Sequence, residues 1–361
     1  MKQFGGNSGY SSAQGISTGF GQGYAPAPDA DGHVRLAENA LARGNFDEVL
    51  LHSDKAIALR PDHFMAWKYQ AIALYETGRV GEALESFRKV VELKPDYAQG
   101  HYNLGKALQQ ESNFNDAEAC YRNALRLKPD FAEAHNNLGA VLAETGFFEE
   151  SEICYRNALR SNPSDSGTHN NLGVLFQKQG RLYDAGEHYG KSLEISPNNV
   201  EALYHLGTLY ASLSRREEAK ACFERLLSIK PDHSDASISL GTVLEELRRP
   251  DEAIAVYRSA LGLDPSNNAL KASLLHQLQH VCEWGDLEEQ TQRVRTAVRE
   301  APASDRNRIS TFAFLALPGA TPGEQRLCAE KWEQTIYKHL TPIRTRLAFG
   351  FHDYPGKKIH V

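Results

Sequence analysis

Cysteine is scarce in this chain, with five among 361 residues, methionine is scarcer still at two, and no run of Lys and Arg stands anywhere. No stretch approaches the roughly 20 consecutive apolar residues needed to cross a bilayer, which argues against a membrane-inserted helix. The first residues lack the positive start and apolar core of a secretory signal, so the expected location is the cytoplasm. A formal net charge of −6 makes a phosphate backbone a poor partner, and nucleic acid is not expected. No Gly-rich loop opens a helix after a strand, and no Gly-x-Ser-x-Gly occurs. No carboxylate pair stands apart from the ordinary acidic surface. Glu149, Glu150, Glu217 and Glu218 fall where second helices begin and suit the positive end of a helix dipole. No catalytic residue, metal ligand or cofactor is therefore assigned.

Proline, by contrast, keeps time. It stands at positions 61, 95, 129, 163, 197, 231 and 265, always 34 residues apart, and a 34-residue period is the mark of the tetratricopeptide helix-turn-helix unit. Units are counted from the third residue after each proline. Position eight is then small throughout, as Ala37, Ala71, Gly105, Gly139, Gly173, Gly207 and Gly241. Position twenty is also small, as Val49, Ala83, Ala117, Ser151, Ala185, Ala219 and Ala253. Position twenty-four is aromatic, as Phe87, Tyr121, Tyr155, Tyr189, Phe223 and Tyr257 after an eroded Ser53, so small residues can accept the ring of a neighbouring helix. Position fifteen carries Gly44, Gly78, Gly146 and Gly180, suited to a left-handed helix end, with Ser214 and Arg248 in later units. The proline stops each second helix. The fold class expected is all-α, a right-handed superhelical solenoid of tetratricopeptide repeats over residues 30–267 with a helical C-terminal extension. A coiled coil would not carry this proline schedule.

Residues 1–29, rich in Gly and Ser, read as a disordered tail. Residues 268–283 read as a helix capping the last unit, and 284–361 as a distinct segment beyond it. Cys120, Cys154 and Cys222 share position twenty-three, so stacking holds them about 10 Å apart, beyond disulfide reach, as buried small apolar groups. His276 and His280 lie four apart with Cys282 behind them, but a fourth zinc ligand is not visible.

Function is expected in the groove lined by first helices, where positions two, five, six, nine, twelve and thirteen face inward. Position six reads Asn103, Asn137 and Asn171 in consecutive units. An amide both donates and accepts, so such a row can hold the backbone of an extended peptide while ignoring its side chains. Asn136 and Asn170 at position five widen the polar strip, Tyr102 and Tyr204 bracket it, and His205 continues the row. Some tetratricopeptide proteins grip the carboxylate tail of chaperones with basic residues at set positions. Ile72, Glu133 and Asn137 occupy the decisive places here and do not meet that pattern.

Beyond the repeats come Cys282-Glu283-Trp284, then Phe312 to Pro318, then Lys358 to Val361. In this order the chain resembles the repeat half of the bacterial protein O-linked N-acetylglucosamine transferases and their Spindly-like relatives. The resemblance implies that 284–361 holds a linker and the start of a glycosyltransferase-like domain, whose catalytic motifs have no counterpart in this sequence. It also implies that Asn103, Asn137 and Asn171 hold acceptor polypeptide. Two functions are therefore expected. One is a non-catalytic module binding an extended peptide or partner protein; the other is the acceptor-recognition part of a glycosyltransferase whose catalytic half is absent from this sequence, with a separate catalytic chain as a possible partner.

Overall fold

The computed structural model describes residues 28–281, 287–300 and 320–331. Seven helix pairs succeed one another. The first helices have 13 residues each: α1 (Ala30–Ala42), α3 (Phe64–Glu76), α5 (Ala98–Gln110), α7 (Ala132–Glu144), α9 (Ser166–Lys178), α11 (Val200–Ser212) and α13 (Ser234–Glu246). The second helices have 14: α2 (Phe46–Leu59), α4 (Val80–Leu93), α6 (Phe114–Leu127), α8 (Phe148–Ser161), α10 (Leu182–Ile195), α12 (Arg216–Ile229) and α14 (Pro250–Leu263). The chain is an all-α, right-handed solenoid of tetratricopeptide type, and the described residues contain no strand.

The stops are local. The residue before each proline, from Arg60 to Asp264, is pushed out of the helical region to ψ values of 79° to 93°. Within each pair the turn passes through one left-handed residue at position fifteen. Gly44, Gly78, Gly146 and Gly180 adopt it without strain, at φ of 71° to 85°. Ser112, Ser214 and Arg248 are held in the same conformation at 58° to 59°, so packing of the pair overrides the preference of those residues.

The core is made within and between pairs. A Cβ on Gly105, Gly139, Gly173, Gly207 or Gly241 would lie 2.2 to 2.8 Å from the position-twenty-four ring of the same unit, so the helices touch ring to backbone. The rings of Tyr121, Tyr189 and Phe223 are wholly buried. Each buried hydroxyl then needs an acceptor. Tyr121, Tyr189 and Tyr257 donate to Gln109 (2.7 Å), Gln177 (2.8 Å) and Glu245 (3.1 Å), always twelve residues earlier. Phe87 and Phe223 need none, and Tyr75 and Ala211 stand at that place in their units. A second recurring bond ties unit to unit at position four. Trp67 donates to the carbonyl of Pro61 at 2.7 Å, and the Nε2–H of His101 and His135 to those of Pro95 and Pro129 at 2.9 Å.

His33 with His52, and His169 with His188, repeat one arrangement in units one and five, Nδ1 to Nδ1 at 3.1 Å. One nitrogen must donate and the other accept, so each pair is stable with both rings neutral. Burial, and then the neighbouring ring, bring His188 down to about 4 from its ordinary 6.5, and burial lowers His169. The unfolded chain therefore binds protons that the fold refuses, and stability is complete above pH 6.5 and lost as pH falls toward 4. Melting temperature is expected to fall across that window, and His188→Asn should flatten the fall. An unchanged slope would remove the pair from the account.

Beyond the last proline, α15 (Asn268–His280) has 13 residues and α16 (Leu287–Glu300) has 14, the lengths of the regular units, and the two pack together. The separation between them is longer than the regular turn, so this is an irregular eighth pair rather than a lone capping helix. A further helix, α17 (322–331), adds to it. Val294, Val298 and Cys328 are buried in the same apolar cluster as Leu244, Tyr257 and Leu274 of the last units. The described helices after the repeats are thus fastened to them. The amino-terminal tail up to residue 27 lies outside the described residues, as do Cys282-Glu283-Trp284, Phe312 to Pro318 and Lys358 to Val361. Among the described residues no helix is long and apolar enough to cross a membrane.

Candidate binding groove

Consecutive first helices touch one another, α5 on α7, α7 on α9, α9 on α11 and α11 on α13, and so form one continuous wall. Asn103, Asn137 and Asn171 stand on that wall one unit apart, each half-buried. The structure adds a connection that their spacing did not reveal. Asn171 Nδ2 donates to Asn136 Oδ1 at 3.0 Å, Asn136 Nδ2 to Asn137 Oδ1 at 3.3 Å, and Asn137 Nδ2 to the Tyr102 hydroxyl at 3.3 Å. Thr168 also donates to Asn136 Oδ1, at 3.0 Å. The row is a hydrogen-bonded chain across units three, four and five. It still leaves Asn171 Oδ1 without a hydrogen-bond partner among the described residues. Asn103 accepts from Gln99 at 3.0 Å and keeps its whole NH₂ group.

Asn170 departs from the expectation that it widens the accessible strip. It is 3% exposed, and its Oδ1 is buried with no hydrogen bond. The two tyrosines and His205 also pack more closely than bracketing residues need to. Tyr102 lies against Phe131 (4.9 Å between ring centres) and Tyr121, and burial raises its hydroxyl above the ordinary range. Tyr204 stacks on His233 at 5.3 Å. His205 lies parallel to Tyr189, 15° from coplanar, and its burial lowers the imidazole, so it is neutral. A neutral ring keeps one donor and one acceptor, which suits hydrogen bonding and not ion pairing.

The three cysteines at position twenty-three are not reactive groups. Burial pushes the thiols of Cys120, Cys154 and Cys222 to about 11, so they remain protonated and inert at neutral pH. His276 and His280 meet Nε2 to Nε2 at 3.1 Å, and Cys282 lies outside the described residues. Among the described residues no three His, Cys, Asp or Glu side chains converge.

No curated protein matches this chain. Family models do: the TPR repeat over residues 72–112 and 110–146, and the tetratricopeptide repeat over 132–165, 164–232 and 204–268. Similar solved structures include PilF of Pseudomonas aeruginosa, at 21% identity and TM-score 0.50 over 56% of this chain and 92% of that one. A chain of the APC/C hetero-tetramer Cut9–Hcn1 is 17% identical, with TM-score 0.56 over 69% of this chain and 49% of that one. The type IV pilus biogenesis factor PilW is 22% identical, with TM-score 0.53 over 60% and 98%. Such identities speak for the fold alone. With matched repeats running over more than half its length, on the proline period and ring-to-glycine contacts described above, the chain belongs to the tetratricopeptide-repeat proteins.

Proposed function

We propose that this protein is an interaction module that holds an extended segment of a partner polypeptide in its concave groove and performs no chemistry of its own. The observation that carries this is the hydrogen-bonded row from Asn171 to Tyr102, which fixes amides on units four and five and a tyrosine on unit three, beside Asn103, while leaving donors and an acceptor without partners among the described residues. Groups already held by neighbours lose little freedom when a ligand arrives. One unit of about 10 Å matches three residues of an extended chain in the polyproline II form, three to a turn, so the same backbone groups recur at each unit. The named neighbours fit a protein-binding role, one being a chain of a hetero-tetramer and another a pilus biogenesis factor.

The test is site-specific photocrosslinking in cells. A crosslinking residue at Ala140, at an inward position of α7, is expected to trap polypeptide, whereas one at Ile153 on α8, 59% exposed, is not. Changing Asn103, Asn137 and Asn171 together to Ala should weaken capture by about 3 kcal/mol, at about 1 per neutral hydrogen bond. Helicity should stay the same. Asn103→Ala alone removes only a bond to Gln99, and separates loss of binding from loss of the inter-unit row. Equal trapping at both sites, or capture unaffected by the triple change, would sink the proposal.

A second reading, acceptor recognition for a glycosyltransferase of the O-linked N-acetylglucosamine type, is favoured by one feature. The pair α15–α16 and α17 are packed onto the last unit, so a catalytic partner joined through them would keep a set orientation to the groove. The native product's mass, read with an antibody against the repeats, separates the two readings. A band near 40.1 kDa fits the module, and a much heavier one fits the transferase.

A further inference from the structure

One part of the groove differs from the amide row. Between α3, α4 and α5 a notch of about 60 Å³ opens at the wall, lined by Ile72, Tyr75, Glu76, Phe87, Asn103 and Lys106. Its floor is apolar, formed by Ile72, Tyr75 and the buried ring of Phe87, and its polar groups stand at the lip. The space is several times what one water needs, yet the floor offers few of the two to four polar partners a water requires. An aliphatic side chain filling it releases poorly held water and buries its own surface.

The lip is charged, and unevenly. Lys106 lies with its ammonium 5.1 Å from the centre of the Tyr75 ring and makes no ion pair with a described carboxylate. Lys68, on the same wall, is likewise held over Tyr69 at 5.4 Å without an ion pair. Lys178 pairs with Glu144 and Arg216 with Glu246, whereas Lys106 and Lys68 leave two ammonium groups on one groove wall open to a ligand carboxylate. Glu76 also lines the notch, and its charge opposes a second carboxylate placed beside it rather than beside Lys106. The NH₂ group of Asn103 has no partner among the described residues and lines the notch, able to take a ligand carbonyl.

Resting on the reading that the groove holds extended polypeptide, we infer that this notch selects the segment bound: it takes one aliphatic side chain of the partner, with an acidic residue next to it on the Lys106 side. The amide row then supplies affinity without sequence preference, and the notch supplies register and choice.

The experiment measures fluorescence anisotropy of labelled 12-residue peptides with the full chain, each built on Gly, Ser and Asn and carrying at its centre Leu-Asp, Ser-Asp or Leu-Lys. Leu-Asp is expected to bind tightest, with each replacement weakening it about tenfold, the order set by the few buried methylene groups of one leucine. Ile72→Trp fills the notch and should remove the advantage of Leu over Ser. Lys106→Glu, a change at a half-buried position on the rim that leaves Ile72, Tyr75 and Phe87 intact, should make Leu-Lys the better ligand. If all three peptides bind alike, or if neither variant alters their order, the notch is not a selective site. Binding that falls with the triple Asn change but ignores Ile72→Trp and Lys106→Glu would overturn this inference alone. No binding by any of the three would overturn both it and the groove reading.

Discussion

Gly173→Val is expected to unfold the middle of the array. A Cβ at this position would lie 2.5 Å from Cε1 of Tyr189, inside any real carbon–carbon contact, and Tyr189 is wholly buried with its hydroxyl bonded to Gln177. Neither partner has room to move. The ring is enclosed, and the glycine is on a helix whose axis is set by both neighbouring units. Inserting one methylene into a packed core costs about 1 to 3 kcal/mol, and a branched side chain against a trapped ring should reach the top of that range or pass it. Because each unit of a solenoid contacts only its neighbours, the loss should divide the array, with the halves on either side of unit five melting separately. Denaturant unfolding followed by helicity would register a large loss of midpoint and of cooperativity. Gly190→Ala is the control: it is helical too, but nothing lies within 4 Å of its added carbon, and it should be neutral or stabilising by up to about 1 kcal/mol. The account fails if the two substitutions prove alike.

Removing one carboxylate should release α17. Glu324 is 6% exposed and accepts from the backbone N–H of Thr321 at 2.8 Å and its hydroxyl at 3.0 Å. It also accepts from Arg295 at 3.2 Å and pairs with Arg299 at 2.5 Å on α16. Glu324 N–H returns a bond to the Thr321 hydroxyl at 3.3 Å, so the residue both caps α17 and ties it to the eighth pair. These bonds, the Thr321 N–H foremost, hold the carboxyl at about 2, well below its ordinary 4.5. A lowered carboxylate stabilises above its unfolded pKa, so the contribution is complete above pH 4.5 and lost as pH falls toward 2. Glu324→Ala removes it at every pH. The reporter is Cys328, 4% exposed and in no disulfide, whose thiol should react with a maleimide at least about tenfold faster in the variant as α17 opens locally. Unchanged labelling at neutral pH would show that the apolar contacts of α17 hold it without Glu324.

These two cases differ in what could be read beforehand. The glycine-against-ring contact was legible, because position eight is small wherever position twenty-four is large and the period leaves no freedom of register. The capping box Thr321-Pro-Gly-Glu324 was also there to be read, as a capping residue three before a glutamate, but outside the periodic region nothing drew attention to it. The acceptors Gln109, Gln177 and Glu245 carried a signal as well: each stands twelve residues before a tyrosine, the two units with phenylalanine have no such residue, and Tyr155, with Ala143 at that place, is the exception. An eighth pair was harder to see. The proline schedule ends at 265, Leu275 fills the small position, and the second helix arrives late, so the pattern is lost although the helix lengths are kept.

The sequence alone determined everything that acts over one unit: where helices end, where the chain turns, and which small residue meets which ring. Proline geometry, left-handed glycine and side-chain volume are properties of single residues at known spacing, and repetition along the chain reinforces each of them. Which polar groups remain for a ligand was decided only by the stacking of units. Asn136 meets Asn171 and Asn137 meets Tyr102 across 35 residues, and Asn170 disappears beneath its neighbours, because the reach of a side chain from one unit to the next depends on how far and at what angle the helices are offset. That offset is a sum of many packing contacts, and no residue encodes it locally. The notch at Ile72 and Lys106 arises in the same way, from three helices of two units whose separate sequences show no cavity.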